Sequence, residues 1–231
     1  MKPQANLLFY LFCIVSLTEI SLIALGYQEY RIFSKPLIIP LLALVYLQST
    51  PRTRPLHKDA IFIALLFSWI GDVLLQLEGL FVPGLLAFLT AHLFYIVFFM
   101  RTDSSNDSFF KLRPVMIIAV IAYLIELMYL LWPTLGEMKI PVLVYGITIS
   151  TMLSAAFWQY QKLENKTARY FIIGATLFVL SDSLLAVDKF RSSFAFAGMS
   201  IMSTYILAQL FIVLGAIRYR IAASSSSVDQ A

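Results

Sequence analysis

Three observations predict an all-α polytopic membrane protein with eight transmembrane helices. Hydrophobic residues make up 60% of the 231-residue chain and charged residues only 13%, about half the ~25% charged fraction of soluble domains. The apolar residues run continuously, unlike the ~10-residue alternating blocks of a membrane β-barrel. The length accommodates about eight helices of ~20 residues with short connections.

The expected spans are residues 6–27, 34–49, 59–77, 82–100, 114–132, 139–161, 168–187 and 194–219. The first is read as a span rather than a signal peptide, because it is long, contains Glu19 and lacks a convincing small-residue cleavage site. Charged residues flank most of the others. Arg31 and Lys35 mark the entry to span two, and Arg52, Arg54 and Lys58 lie between spans two and three. Arg101, Lys111 and Arg113 bracket a polar loop after span four, and Lys139 opens span six. Lys162, Lys166 and Arg169 precede span seven, Lys189 and Arg191 follow it, and Arg218 and Arg220 close span eight. The domain reading is one membrane domain over 1–221 and a short polar tail, 222–231, expected to be disordered.

Alternate connections then divide the cations unequally. One side, with Lys2, holds 12 of the 17 Lys and Arg residues; the other holds five, Arg31, Lys35, Lys139, Lys189 and Arg191. The excess of Lys and Arg on cytoplasmic loops places both termini in the cytoplasm of a multi-pass cell-membrane protein. The same loop placement accounts for the net charge of +4 without nucleic acid. The single cysteine, Cys13, permits neither an intrachain disulfide nor a cysteine metal site.

Two segments carry the functional signal: Phe67-Ser68-Trp69-Ile70-Gly71-Asp72 in span three and Phe178-Val179-Leu180-Ser181-Asp182 in span seven. An ionisable group inside a membrane costs at least ~2.5 kcal/mol on insertion scales, so it marks a partner or a wet cavity. Tyr95 follows Asp72 by 23 residues and Tyr205 follows Asp182 by 23; Glu19 and Glu126 precede the two aspartates by 53 and 56. This spacing fits two parallel four-helix repeats related by an axis along the membrane normal. Glu19, Glu126, Lys35, Tyr145 and the aspartates also fall at similar depth, toward the non-cytoplasmic face, with His92 near mid-span. Trp69 and Trp132, near span ends, read as interfacial anchors.

Several chemistries compete for these residues. His57 lies in a loop remote from the aspartates, so only His92 could join them, and no metal-ligand spacing is present. Ser68, Ser181 and Ser183 lack a nucleophile elbow and have only His92 as a candidate base. Paired carboxyls, one acid and one base or electrostatic stabiliser, would suit an acid-labile ether or vinyl ether through an oxocarbenium-like cation. The purely structural alternative pairs each aspartate with Lys35, Arg191 or a backbone group. A different class of function, a non-catalytic lipid-binding protein or a proton-coupled transporter, also uses buried acids, although a transporter needs a path to both faces.

Further residues complete a pattern: Lys35-Pro36 opening span two, Gly84, Phe88, His92 and Tyr95 in span four, and Tyr145 with Met152 in span six. Gly174-Ala175 precedes Phe178, and Tyr205-x-x-Ala208-Gln209 lies in span eight. With the two aspartate segments, this ordered set resembles the YhhN family of eight-span membrane proteins from about residue 30 to 215. The resemblance implies a lysoplasmalogenase-like hydrolase that cleaves the vinyl ether bond of a lysophospholipid. It implies no metal or organic cofactor; the expected partners are that substrate and the surrounding membrane lipids. Asp72 and Asp182 are the expected catalytic residues. Lys35, His92, Tyr95, Tyr145, Ser181, Tyr205 and Gln209 are the expected substrate-binding residues. Both aspartates should face one cavity also lined by His92, Tyr145 and Gln209, with Lys35 at its mouth to meet the phosphate.

Overall fold

A computed structural model of the protein describes residues 3–51, 59–101, 114–159, 163 and 165–228. The orienting cations Lys2, Arg52, Arg54, Lys58, Lys111, Arg113 and Lys162, together with His57, lie outside the described residues. The described chain forms eight helices: α1 (Pro3–Ala24), α2 (Arg31–Ser49), α3 (Ala60–Leu74), α4 (Phe81–Arg101), α5 (Pro114–Leu131), α6 (Lys139–Trp158), α7 (Asn165–Phe190) and α8 (Ala197–Val228). Six helical segments are long and apolar enough to cross a membrane; α3 and α5 are apolar but shorter.

Polarity is reversed relative to a soluble bundle. Leu17, Phe33, Val115, Ile118 and Tyr129 are exposed, whereas Glu19, Lys35, Ser68, Asp72, His92 and Gln209 are buried. Large apolar side chains on the outside and polar ones inside suit a lipid surround, where polar groups must turn inward. Adjacent helices pack as α1–α2, α2–α3, α3–α4, α5–α6, α6–α7 and α7–α8, and α4–α6 and α2–α8 contacts join the two halves. Glu126, however, is exposed on α5, whereas Glu19 is wholly buried. The two glutamates therefore occupy different environments despite their similar spacing, and Glu126 does not join the buried polar layer.

Close helix approach follows from small residues. A Cβ on Gly71 would lie 2.6 Å from the Phe88 ring, and one on Gly174 would lie 2.9 Å from the Ala208 carbonyl oxygen and the Ile212 nitrogen. Without a hydrophobic force between helices in lipid, such contacts carry much of the association.

Helix α3 is tied at both ends. Asp59 caps it by accepting from the Ile61 N–H at 3.1 Å. Its other oxygen accepts from Tyr46 Oη at 2.9 Å and lies 3.3 Å from Arg220 Nη2, joining α2, α3 and α8. Near the opposite end, Trp69 Nε1 donates to the Pro36 carbonyl at 2.9 Å. Pro40, lacking an N–H, leaves the carbonyl four residues earlier without its helical donor. Trp69 supplies that donor, so it acts as an α2–α3 tie as well as a residue near a span end.

Residues 222–228 are helical where a disordered tail is expected, and residues 229–231 of that tail lie outside the described residues. Helix α8 continues through Ser224–Ser227 to Val228. Ser224 and Ser225 Oγ each donate to the Ile221 carbonyl, at 2.8 and 3.1 Å, so hydroxyls that favour turns elsewhere fold back onto the helix here.

Gly174→Ala is expected to lower the detergent-solubilised melting temperature, at a cost of roughly 1–3 kcal/mol, because the added methyl meets backbone atoms that cannot rotate away. Gly79→Ala has open space around it and tests positive-φ strain without packing, so the effect on α7–α8 association should be confined to Gly174.

Candidate functional site

Asp72 lies in the last turn of α3 and Asp182 in the second half of α7, at the end of the bundle remote from the described chain termini. Both line one cavity of about 290 Å³. Six helices build its wall, α2 through Lys35, α3 through Asp72, α4 through Phe88, α6 through Tyr145, α7 through Asp182 and α8 through Tyr205.

The two carboxyls have different partners. Asp72 is 2% exposed. Its Oδ1 lies 3.4 Å from Lys35 Nζ, and its Oδ2 accepts from Tyr205 Oη at 2.6 Å. Asp182 accepts from Tyr145 Oη at 2.5 Å, and His92 Nε2 stands 3.7 Å from the same oxygen. Among the described residues no Lys or Arg forms an ion pair with Asp182. One carboxyl is thus matched by a fixed cation and the other by a phenol and an imidazole. Such an unequal pair can divide the roles of charged stabiliser and proton carrier.

Behind Asp72 runs a hydrogen-bonded chain. Tyr95 Oη donates to Gln209 Oε1 at 2.5 Å. Gln209 Nε2 donates to Ser68 Oγ at 3.0 Å and to Tyr205 Oη at 3.4 Å. This network aims the Tyr205 hydroxyl at Asp72. Tyr95 and Gln209, expected to bind substrate, are instead sealed behind the cavity wall, as is His92. His92 is fully buried, with no hydrogen-bond partner on either nitrogen. Its ring lies edge-on to Phe178 at 4.6 Å and to Tyr145 at 5.3 Å between centroids, which holds it beside Asp182.

The remaining expected residues divide similarly. Tyr145, Tyr205, Lys35 and Ser181 reach the cavity. Ser181 Oγ donates to the Ile201 carbonyl at 3.0 Å, and Ser183 Oγ donates to the Val179 carbonyl at 2.6 Å while accepting from Tyr123. Ser68 accepts from Gln209, so none of the three serines is hydrogen-bonded to His92. Arg191 does not pair with either aspartate. Met152 belongs to the apolar core. Among the described residues no three His, Cys, Asp or Glu side chains converge as a metal-ligand set.

In the sequence Arg31 and Lys189 read only as loop cations, yet both line the cavity, as does Asp188. The signal that could have found two of them is helical spacing. Arg31 precedes Lys35 by four residues, and Lys189 follows Asp182 by seven, so each shares a face with a residue already singled out.

Comparison with known proteins bears on this arrangement. The YhhN family model matches residues 30–216. The chain belongs to the YhhN family. Among its curated YhhN-like relatives, human lysoplasmalogenase TMEM86B is 36% identical over 159 residues, 67% of this chain and 62% of that protein. Human lysoplasmalogenase TMEM86A is 34% identical over 181 residues, 71% of this chain and 68% of the relative. The lysoplasmalogenase of Mycobacterium tuberculosis (strain CDC 1551 / Oshkosh) is 30% identical over 178 residues, 74% and 66% respectively. This YhhN chain therefore spans somewhat under two thirds of TMEM86B. No solved structure matches it at a significant level.

Lys35→Met in this YhhN protein should leave the buried Asp72 carboxyl without its cation. The expected cost is ~3–5 kcal/mol, read as a fall in melting temperature. Adding Asp72→Asn removes the stranded charge, so the double variant should recover much of the loss. A double variant as unstable as Lys35→Met alone would show that the pair is not what holds α2 against α3.

Proposed function

We propose that the protein is a lysoplasmalogenase, hydrolysing the vinyl ether bond of a lysoplasmalogen to a fatty aldehyde and a glycerophospho-head group. The observation that carries this reading is the unequal pair of carboxyls on one cavity, one beside Lys35 and one without a fixed cation. The names of the relatives support the same chemistry.

Asp182, in its carboxylic acid form, gives its proton to the alkene carbon β to the ether oxygen, the one that bears the alkyl chain. The π pair forms the new C–H bond, and the adjacent carbon becomes an oxocarbenium-like cation. Asp72, held negative by Lys35 and oriented by Tyr205, stabilises that cation. Water adds to the cationic carbon and loses a proton to the Asp182 carboxylate, which restores the acid. The hemiacetal then collapses: its hydroxyl proton passes to the glycerol oxygen, the C–O bond breaks, and aldehyde and alcohol separate. Tyr145 orients Asp182, and His92 fixes the position of Tyr145 and fills the space behind the acid.

The positive-inside bias supports both termini in the cytoplasm and a cavity that opens on the opposite side of the cell membrane. A reporter fused to the C-terminus should be active only in the cytoplasm; activity outside would invert this topology.

The direct test is aldehyde release from lysoplasmalogen by purified protein. Asp182→Asn should cut turnover by ~10²-fold or more with little change in melting temperature, since no cation is left unmatched. Asp72→Asn should lose activity and also lower the melting temperature, because Lys35 loses its counter-charge. Absence of aldehyde release from the unaltered protein would refute the reading.

A further inference from the structure

Resting on the lysoplasmalogenase reading, we propose that Arg31 and Lys189 seat the substrate phosphate, and that Glu19 is the positioning residue that aims Arg31. The sequence points to Lys35 for that task, but its ammonium is already beside Asp72. Two other cations line the same cavity, Arg31 at the start of α2 and Lys189 near the end of α7.

Arg31 is held rather than free to swing. Its Nε donates to Glu19 Oε1 at 2.9 Å and its Nη1 to Gln28 Oε1 at 2.7 Å. The second oxygen of Glu19 accepts from Ser34 Oγ at 2.5 Å. Glu19 is completely buried while the Arg31 side chain keeps 22% of its surface exposed, so the carboxylate is sealed inside and the guanidinium faces outward from it. A guanidinium has five N–H donors in a planar fork, and the bonds named engage Nε and Nη1. The fork geometry that remains matches phosphate oxygens.

Lys189 Nζ stands 5.0 Å from the centre of the Phe81 ring, which lines the cavity too. It forms no ion pair among the described residues. Asp188 also lines the cavity, and its Oδ1 accepts from Ser193 Oγ at 2.8 Å. The mouth thus carries two cations beyond the Lys35–Asp72 pair. The apolar residues Phe81, Leu85 and Leu185 border both this cavity and a small apolar recess against α6 that holds Val142 and Phe190. A phosphate at Arg31 and Lys189 leaves the alkenyl chain to run along this apolar wall, with the vinyl ether passing the two aspartates.

The test compares two substrates on the full-length protein: 1-alkenyl-glycerophosphoethanolamine and 1-alkenyl-glycerol, which lacks the phosphate. The unaltered protein should favour the phosphate-bearing substrate in kcat/KM. Arg31→Gln should reduce that preference by roughly 10-fold or more, through KM rather than kcat, as expected for loss of charge-assisted hydrogen bonds. Arg31→Lys should retain part of it. Glu19→Gln should weaken it with Arg31 still present, and Lys189→Gln should reduce it further when combined with Arg31→Gln. A preference unchanged by Arg31→Gln, or an equal fall on both substrates, overturns the proposal.

A binding measurement separates this proposal from the hydrolase reading. Acyl-ester lysophosphatidylethanolamine, compared with monoacylglycerol of the same chain, should raise the melting temperature of the unaltered protein more, and Arg31→Gln should erase the difference. If no vinyl ether is cleaved but this difference is present, the hydrolase reading fails and the phosphate seat stands. If the difference is absent, the seat fails whether or not aldehyde is released.

Discussion

Lys35 Nζ and Asp72 Oδ1 lie 3.4 Å apart, with their side chains 10% and 2% exposed. Two ions removed from water in this way are tolerated only if they stay together, because either alone carries a large desolvation cost. That condition reaches through the bundle. Helices α2 and α3 must keep register, and α3 is tied by Asp59 at one end and by Trp69 near the other. The Tyr205 hydroxyl brings α8 to the same carboxyl, and Gln209 and Tyr95 extend the tie to α4. A single buried ion pair thus recruits polar groups from four helices, in a protein whose outer surface is largely apolar.

Asp182 is organised differently. Aromatic packing does most of the positioning. Phe178, one turn earlier on α7, meets His92, Tyr95 and Tyr205 at centroid distances of 4.6, 6.2 and 5.6 Å. These edge-to-face contacts place ring hydrogens against ring faces and fix rotamers without adding charge. The two halves therefore solve the same problem, a carboxyl inside an apolar bundle, with different means: a cation for Asp72 and a phenol with a neighbouring imidazole for Asp182. This inequality sets Asp182 apart from the Lys35–Asp72 ion pair.

The features legible in the sequence are those in which chemistry conflicts with surroundings. Continuous apolar runs marked the eight helices, and the aspartates within them marked the cavity. The side-chain roles were harder to read, because they depend on the rotation of each helix about its axis, which is settled by packing against neighbours. Gln209 and Tyr95 share the correct depth with Asp72 but face the interior between α3, α4 and α8, so they support the wall instead of lining it. Glu126 has the correct spacing but sits on the exposed face of α5. Arg31 and Lys189 fall at helix ends, where cations are common for topological reasons, and that ordinary explanation concealed their place at the cavity. Trp69 looked like an anchor because only the three-dimensional structure shows that Pro40 leaves a carbonyl waiting within reach of its indole.

That indole has a use of its own. Trp69 bridges the same two helices as the ion pair, three residues before Asp72, with its acceptor next to Lys35 in sequence. Its emission depends on whether the N–H keeps its carbonyl and how much of the ring meets the surrounding medium. The protein contains three tryptophans, so replacing Trp132 and Trp158 by phenylalanine would leave an intrinsic fluorophore at this joint. Any parting of α2 from α3 during lipid entry would then report itself as a spectral shift, without an attached dye.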